Sequence, residues 1–133
     1  MLTKPTVTKE VNIAIIGSNF IVDTFLQAAV KVDSFNFYAI YSRRYETAAE
    51  KTKQFLIDNP SIKGSGVSDI NIFTDLTLML ADQNIDAVYI ASPNSLHATQ
   101  AIACLNAGKH VLGEKPSAAN GYELEQLLIA AKN

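Results

Sequence analysis

Four short groups of residues in this chain have the types and spacing to do chemistry. Glu114-Lys115-Pro116 sets a carboxylate beside an amine immediately before a proline. Such a pair could move a proton to or from a substrate held against it; alone, it reads more readily as a solvated ion pair in a loop. Pro93-Asn94, with His97 one helical turn on, offers an amide and an imidazole that could face a ligand or simply cap a helix. Ser42-Arg43-Arg44 brings together a hydroxyl and two guanidiniums, which suit bidentate donation to a phosphate. The alternative there is two arginines on a wet surface. The run Gly17-Ser18-Asn19-Phe20-Ile21-Val22 is a candidate phosphate-cradling turn. Of the G-x-G-x-x-G pattern it keeps the first glycine, with asparagine at the second place and valine at the third. Asn19 is a tolerable substitute because asparagine accepts a positive φ more readily than most residues. Its side chain is nevertheless expected to crowd a pyrophosphate.

Each group needs an element to position it. Val11 to Ile16 is an apolar, β-branched run that predicts a first strand, and Gly17 ends it. A helix is expected from there to about Val32, with Val22, Phe25, Leu26 and Ala29 on one face. Strand, glycine turn and helix in succession is the context that a dinucleotide-binding fingerprint requires. Phe35 to Tyr41 predicts the second strand, which delivers Ser42-Arg43-Arg44 at its end. Tyr45 to about Asp58 reads as a helix carrying Ala48, Thr52, Phe55 and Leu56 inward, and Asn59 to Asp69 as a surface loop. Asn71 to Phe73 is a short third strand, and Thr74 is expected to cap a brief helix bearing Leu76, Met79 and Leu80. Ala87 to Ala91 reads as a strand covered on both faces. Asn94 is expected to cap the following helix, with Ala98, Ala101, Ile102 and Leu105 inward and Gly108 as its stop. His110 to Gly113 is the fifth strand, and Asn120 with Glu123 resembles a capping box for a last helix. That helix would bury Leu124, Leu127, Leu128 and Ala131. Alternating strands and helices imply an α/β fold: a doubly wound parallel sheet, strand order 3-2-1-4-5, with right-handed crossovers. In such sheets ligands bind beyond the carboxyl ends of the strands, where all four groups fall.

The run P-N-x-x-H from Pro93 to His97, then Ala107-Gly108-Lys109-His110-Val111, then Glu114-Lys115-Pro116 is similar to the signature of the Gfo/Idh/MocA (glucose-fructose oxidoreductase / inositol dehydrogenase) family. The resemblance runs from Val11 to the end of the sequence. It implies a Rossmann domain over 11–133, preceded by a loose tail at 1–10, and a substrate domain that this sequence lacks, so the chain reads as a fragment. It also implies an NAD(P)-dependent oxidoreductase that moves hydride between a nicotinamide and a hydroxyl of a sugar, cyclitol or similar polyol. Lys115 would be the catalytic residue, meeting the substrate hydroxyl and cofactor ribose, and the Lys115-Pro116 peptide would be cis. Glu114 would anchor cofactor or lysine. Gly17, Ser18, Asn19, Phe20, Ile21, Ser42, Arg43, Arg44, Ser92, Pro93, Asn94 and His97 would surround the cofactor, His97 as a neighbour rather than a catalyst. NAD-specific enzymes place an acid at the end of the second strand, about 20 residues past the glycines. Arginines stand there instead, which favours NADP. Because the family's other acid/base groups lie in the second domain, the isolated chain is expected to be inactive. The rival expectation, resting on Asn19 and Val22, is a non-catalytic Rossmann-like nucleotide-binding or regulatory module.

Composition narrows the classes further. The chain has 133 residues, 48% of them hydrophobic, and a formal charge of −2, with no basic stripe for nucleic acid. Cys104 is its single cysteine, so no internal disulfide can form, which suits a cytoplasmic setting. It reads as a buried structural thiol, and His110 as structural. The sequence has no Cys/His spacing for zinc and no run near the ~20 apolar residues that span a bilayer, so neither metal nor membrane is expected. An apolar surface around Val111, Leu112 and the last helix predicts a homo-oligomer.

Overall fold

The computed structural model describes residues 9–61 and 70–133. Most of the expected tail and most of the loop after Asn59 lie outside the described residues. The elements are β1 (Val11–Ile16), α1 (Phe20–Ala29), β2 (Phe35–Tyr41), α2 (Tyr45–Asp58), β3 (Asn71–Phe73), α3 (Leu76–Ala81), β4 (Ala87–Ile90), α4 (His97–Asn106), β5 (His110–Gly113) and α5 (Gly121–Lys132). A single 3-10 turn at Asn94–Leu96 precedes α4. The strands form one sheet in the order β3-β2-β1-β4-β5, and every pairing is parallel.

Alternation along the strands divides the core in two. Ala14, Ile16, Val88 and Ile90 face one side, where Met79, Leu80, Ala101 and Cys104 cover them. Ile15, Ile40, Tyr89 and Ala91 face the other, under Val22, Leu26, Ala48 and Phe55. Period-two alternation with burial on both faces is why these strands read as nearly continuous apolar runs. The β1–β2 register slips between Ile13 and Ala14, whose partners are Phe37 and Ala39. Tyr38 is the extra residue of this bulge, so Tyr38 and Ala39 both turn toward the same core. Its hydroxyl donates to Asp82 Oδ2 at 2.9 Å, tying β2 to the end of α3.

Several local expectations need correction. α1 stops at Ala29, because the N–H groups of Lys31 and Val32 donate to Ala28 and Ala29 and tighten the chain into turns before Val32. Asp75, not Thr74, caps α3, its Oδ1 accepting from Thr77 and Leu78 N–H. Asn94 caps nothing; it opens the 3-10 turn, in which Leu96 N–H donates to the Pro93 carbonyl. α5 begins as expected, with Asn120 Oδ1 accepting from Glu123 N–H, while Glu123 reaches back to Ala119 N–H rather than to the cap residue. Its expected inner face is largely open: Leu124 and Leu128 are exposed, Leu127 is half-buried, and Ala130 is the buried residue. α5 leans on α4 rather than lying across the sheet, so only the narrow stripe through Leu127 and Ala130 is covered. Gly108, at φ +78, ends α4 in the left-handed conformation expected of it.

Candidate functional site

The carboxyl ends of β1, β2 and β4 converge on an open cleft of about 570 Å³. Gly17, Ser18, Asn19, Ser42, Arg43, Arg44, Ser92 and Pro93 all line it. The turn after β1 passes so close to β4 that a Cβ on Gly17 would stand 2.7 Å from the Ala91 carbonyl oxygen. Its φ of +122° is also one that side chains rarely adopt. Both constraints require glycine.

Asn19 behaves differently from the expectation. Its φ is −77°, ordinary extended backbone, so tolerance of positive φ is not why it stands there. It is the N-cap of α1: Oδ1 accepts from Ile21 N–H at 3.1 Å, while Nδ2 donates to the Ala91 carbonyl at 2.8 Å. The side chain thus latches the helix start onto β4. Val22 lies fully buried in the core under α1, where its bulk packs against the sheet rather than into the cleft. Phe20 and Ile21 do not line the cleft, and Phe20 is 79% exposed.

At the end of β2, Ser42 N–H donates to the Phe73 carbonyl, and Ser42 Oγ accepts from Arg44 N–H at 3.3 Å. Arg43 and Arg44 are exposed, and among the described residues neither forms an ion pair. Two guanidiniums at one rim of a cleft leave their donors available to a ligand.

Beyond β4, Ser92 Oγ donates to Gln100 Oε1 inside the protein. His97 is 3% exposed, not a surface histidine. Its Nε2 lies 2.6 Å from the Ser92 carbonyl oxygen and its Nδ1 2.7 Å from that of Pro116. Carbonyl oxygens only accept, so the ring is the donor, to one of them at a time when neutral. Asn94 is exposed beside the cleft without lining it.

At the end of β5, Glu114 N–H donates to the Ile90 carbonyl and continues the ladder. The Glu114 carboxylate is not engaged with Lys115: Oε1 accepts from the Tyr89 hydroxyl at 2.6 Å. Tyr89 is 2% exposed and its ring stacks on Phe25 with centroids 3.8 Å apart. Burial raises the Tyr89 phenol above its ordinary value, and the bond to the Glu114 carboxylate and its charge raise it further. Tyr89 therefore keeps its proton and serves as a hydrogen-bond donor to Glu114. Lys115 is exposed, and the Lys115-Pro116 peptide is cis. His110, at the opposite end of β5, is exposed and far along the strand from this group.

Tyr89 and Gln100 were not singled out from sequence. A signal existed for each: one hydroxyl within an otherwise apolar buried strand, and one amide on a helix face of alanines and cysteine. Among the described residues no cluster of His, Cys, Asp and Glu could hold a metal ion, and no helix is long and apolar enough to cross a membrane.

Comparison with known proteins gives a consistent result. The family model described as an oxidoreductase family with an NAD-binding Rossmann fold matches residues 11–133. The chain is 43% identical over 122 residues to a scyllo-inositol 2-dehydrogenase (NADP(+)) of Bacillus subtilis, covering 92% of this chain and 34% of that protein. It is 35% identical over 116 residues to a 4-carboxy-2-hydroxymuconate-6-semialdehyde dehydrogenase of Sphingobium, covering 87% and 33% respectively. Among solved structures it is similar to a 3-ketoreductase from Actinomadura kijaniata in complex with NADP and TDP-benzene. That match has a TM-score of 0.78 at 28% identity and covers 93% of this chain and 34% of the other. The chain spans about a third of the length of the curated relatives it matches.

Proposed function

This chain belongs to the Gfo/Idh/MocA oxidoreductase family, with its NAD-binding Rossmann fold, and on that premise we propose that it is the cofactor-binding part of an enzyme acting on a sugar, cyclitol or similar polyol. The reaction is reversible hydride transfer at a carbinol carbon. The observation that carries this reading is the cleft at the ends of β1, β2 and β4, with a glycine-only turn at one wall and two arginines at its rim that form no ion pair among the described residues. The donor set fits a nicotinamide dinucleotide. The turn at Gly17 brings backbone N–H groups to a pyrophosphate at the start of α1, where the helix dipole favours an anion. Ser42, Arg43 and Arg44 suit a ribose bearing a 2′-phosphate, so NADP is favoured over NAD. Ser92, Pro93 and Asn94 flank the nicotinamide end.

A bound nicotinamide supplies the hydride donor or acceptor. Lys115 would hold the substrate hydroxyl and move its proton at the ε-amine. Glu114, occupied by Tyr89, leaves that amine free for the substrate. The non-catalytic reading rested on Asn19 and Val22, yet the Asn19 amide is bonded to Ala91 and Ile21, and Val22 is in the core. The dehydrogenase named among the relatives acts on scyllo-inositol with NADP(+), which supports a cyclitol. A cytoplasmic setting suits the single, buried cysteine. The exposed Leu112, Leu124 and Leu128 suit a homo-oligomer, which sedimentation would test. Titration with NADPH and NADH, followed by cofactor fluorescence, is expected to show saturable binding of both, NADPH the tighter. A folded chain that binds neither would remove the proposal.

A further inference from the structure

Lys115 is exposed and, among the described residues, makes no hydrogen bond, whereas the residues on either side of it are held by hydrogen bonds. Before it, Glu114 is fixed twice: its N–H donates to the Ile90 carbonyl at 2.9 Å, and its carboxylate accepts from the Tyr89 hydroxyl at 2.6 Å. Tyr89 is in turn held by its near-parallel stack on Phe25 of α1, with 9° between the rings. After it, the Pro116 carbonyl lies 2.7 Å from Nδ1 of His97, whose Nε2 lies 2.6 Å from the Ser92 carbonyl at the cleft wall. We propose that Tyr89 and His97 are positioning residues that together clamp the Glu114–Pro116 segment and so fix the backbone that carries Lys115 beside the Ser92 wall of the cleft. The proposal rests on the reading of that cleft as a nicotinamide site.

The physical case is one of order and charge. A long lysine side chain loses much rotamer entropy when it is fixed, so a protein places it best by fixing its backbone. The clamp does this from two sides, with two buried side chains, neither of which hydrogen-bonds the amine. Tyr89 has a second effect. Its hydroxyl holds one oxygen, Oε1, of the carboxylate closest in sequence to Lys115, which would otherwise be that amine's natural partner. Hydrogen bonds to charged groups are among the stronger ones a protein makes, so Glu114 stays with Tyr89 while the bond is intact.

The test measures Lys115 directly on the whole chain. Its amine is acylated with a small reagent under limiting conditions, with and without saturating NADPH, and the extent is read by mass spectrometry against Lys132 as internal reference. Three variants are compared with wild type: Tyr89→Phe, which keeps the ring and its stack; His97→Leu, which removes the imidazole and its contacts to both carbonyls; and His97→Asn, which keeps a donor near the Nδ1 position. Thermal melts confirm that each is folded, and cofactor fluorescence reports NADPH affinity separately. Wild-type Lys115 is expected to label readily and to be protected several-fold by NADPH. Tyr89→Phe frees Glu114 to pair with Lys115, so cofactor-free labelling falls several-fold relative to Lys132. His97→Leu loses the NADPH protection while still binding NADPH, and His97→Asn regains part of it. Unchanged Lys115 labelling and protection in folded Tyr89→Phe and His97→Leu would overturn the clamp. If His97→Leu does not fold, Tyr89→Phe and His97→Asn decide the matter. If wild type does not bind NADPH, the nicotinamide reading fails, and the cofactor-free labelling of Tyr89→Phe still decides whether Glu114 is held away from the amine.

Discussion

Replacing Asn19 separates two opposite accounts of the turn after β1. If the side chain crowds the cofactor, removing it should tighten binding; if it is a latch, removing it should cost stability and loosen binding. The geometry supports the latch. Asn19→Ala loses an N-cap, worth about 1 kcal/mol, and the hydrogen bond from Nδ2 to the Ala91 carbonyl, worth about 1 kcal/mol more. The sum, about 2 kcal/mol, lowers the melting temperature of a domain this size by about 8 °C. Asn19→Gly costs less, about 1–1.5 kcal/mol, because glycine is itself a fair N-cap. Asn19→Asp keeps the acceptor for Ile21 N–H but turns a carboxylate oxygen toward the Ala91 carbonyl and toward any bound pyrophosphate. It should be intermediate in stability and weakest in cofactor affinity. Because NADPH and NADH share the pyrophosphate, each variant should weaken both alike. Thermal denaturation alongside cofactor titration of the three variants measures all of this. Wild-type stability in Asn19→Gly, together with tighter binding of both cofactors, would refute the latch.

Three further outcomes are expected. Gly17→Ala forces a Cβ to within 2.7 Å of the Ala91 carbonyl oxygen at an unfavourable φ; strain and overpacking together cost about 2–5 kcal/mol, read as a lowered urea midpoint. Arg43→Ala should weaken NADPH by about 1.5–3 kcal/mol in a calorimetric titration and leave NADH nearly untouched. The wild-type preference should also shrink with added salt; equal affinities for the two cofactors, unmoved by the substitution, would leave Arg43 as surface charge. Burial pushes the Cys104 thiol up from an ordinary 9.0 to about 12, with Lys109 opposing the shift. Between those values the unfolded chain releases a proton that the folded chain keeps, so stability is intact below pH 9 and falls as pH rises toward 12, by at most ~1.4 kcal/mol per pH unit. Comparing urea midpoints at pH 8 and 10 for wild type and Cys104→Ala isolates the thiol, since Tyr38 and Tyr89 remain in both; equal losses would contradict the burial argument.

Much of the scaffold was legible because it rests on local pattern. β2, α2, β3 and β5 begin and end where apolar alternation, helical spacing and the Gly108 stop indicate. The strand order follows from the alternation of strands and helices together with the handedness of crossovers. The sequence reading failed where two local signals compete or where the partner is distant. Thr74 and Asp75 are adjacent cap formers, and only the folded backbone chooses between them. Asn94 carries a capping side chain, but Pro93 leads into a 3-10 turn that leaves it no helix to cap. The bulge at Tyr38 leaves no mark in composition, since both neighbours suit a strand equally well. At the site, the spacing pointed to Glu114 and Lys115 but not to their relation. The carboxylate's partner is Tyr89, brought to it by strand pairing rather than by spacing along the chain. The roles of Asn19 and His97 were missed for the same reason: each bridges to a backbone carbonyl on another segment.

We propose that a nicotinamide dinucleotide lies in the cleft, across the ends of β1, β2 and β4. Titrating NADPH into isotope-labelled protein and following backbone amides by NMR tests it residue by residue. Saturable shifts are expected at Gly17, Ser18, Arg43, Arg44 and Ser92, with Lys115 responding and the opposite end of the sheet around Asn36 silent. Saturable shifts centred on Asn36 and Phe55 instead, or none at Gly17 and Arg43 at saturating cofactor, would contradict it.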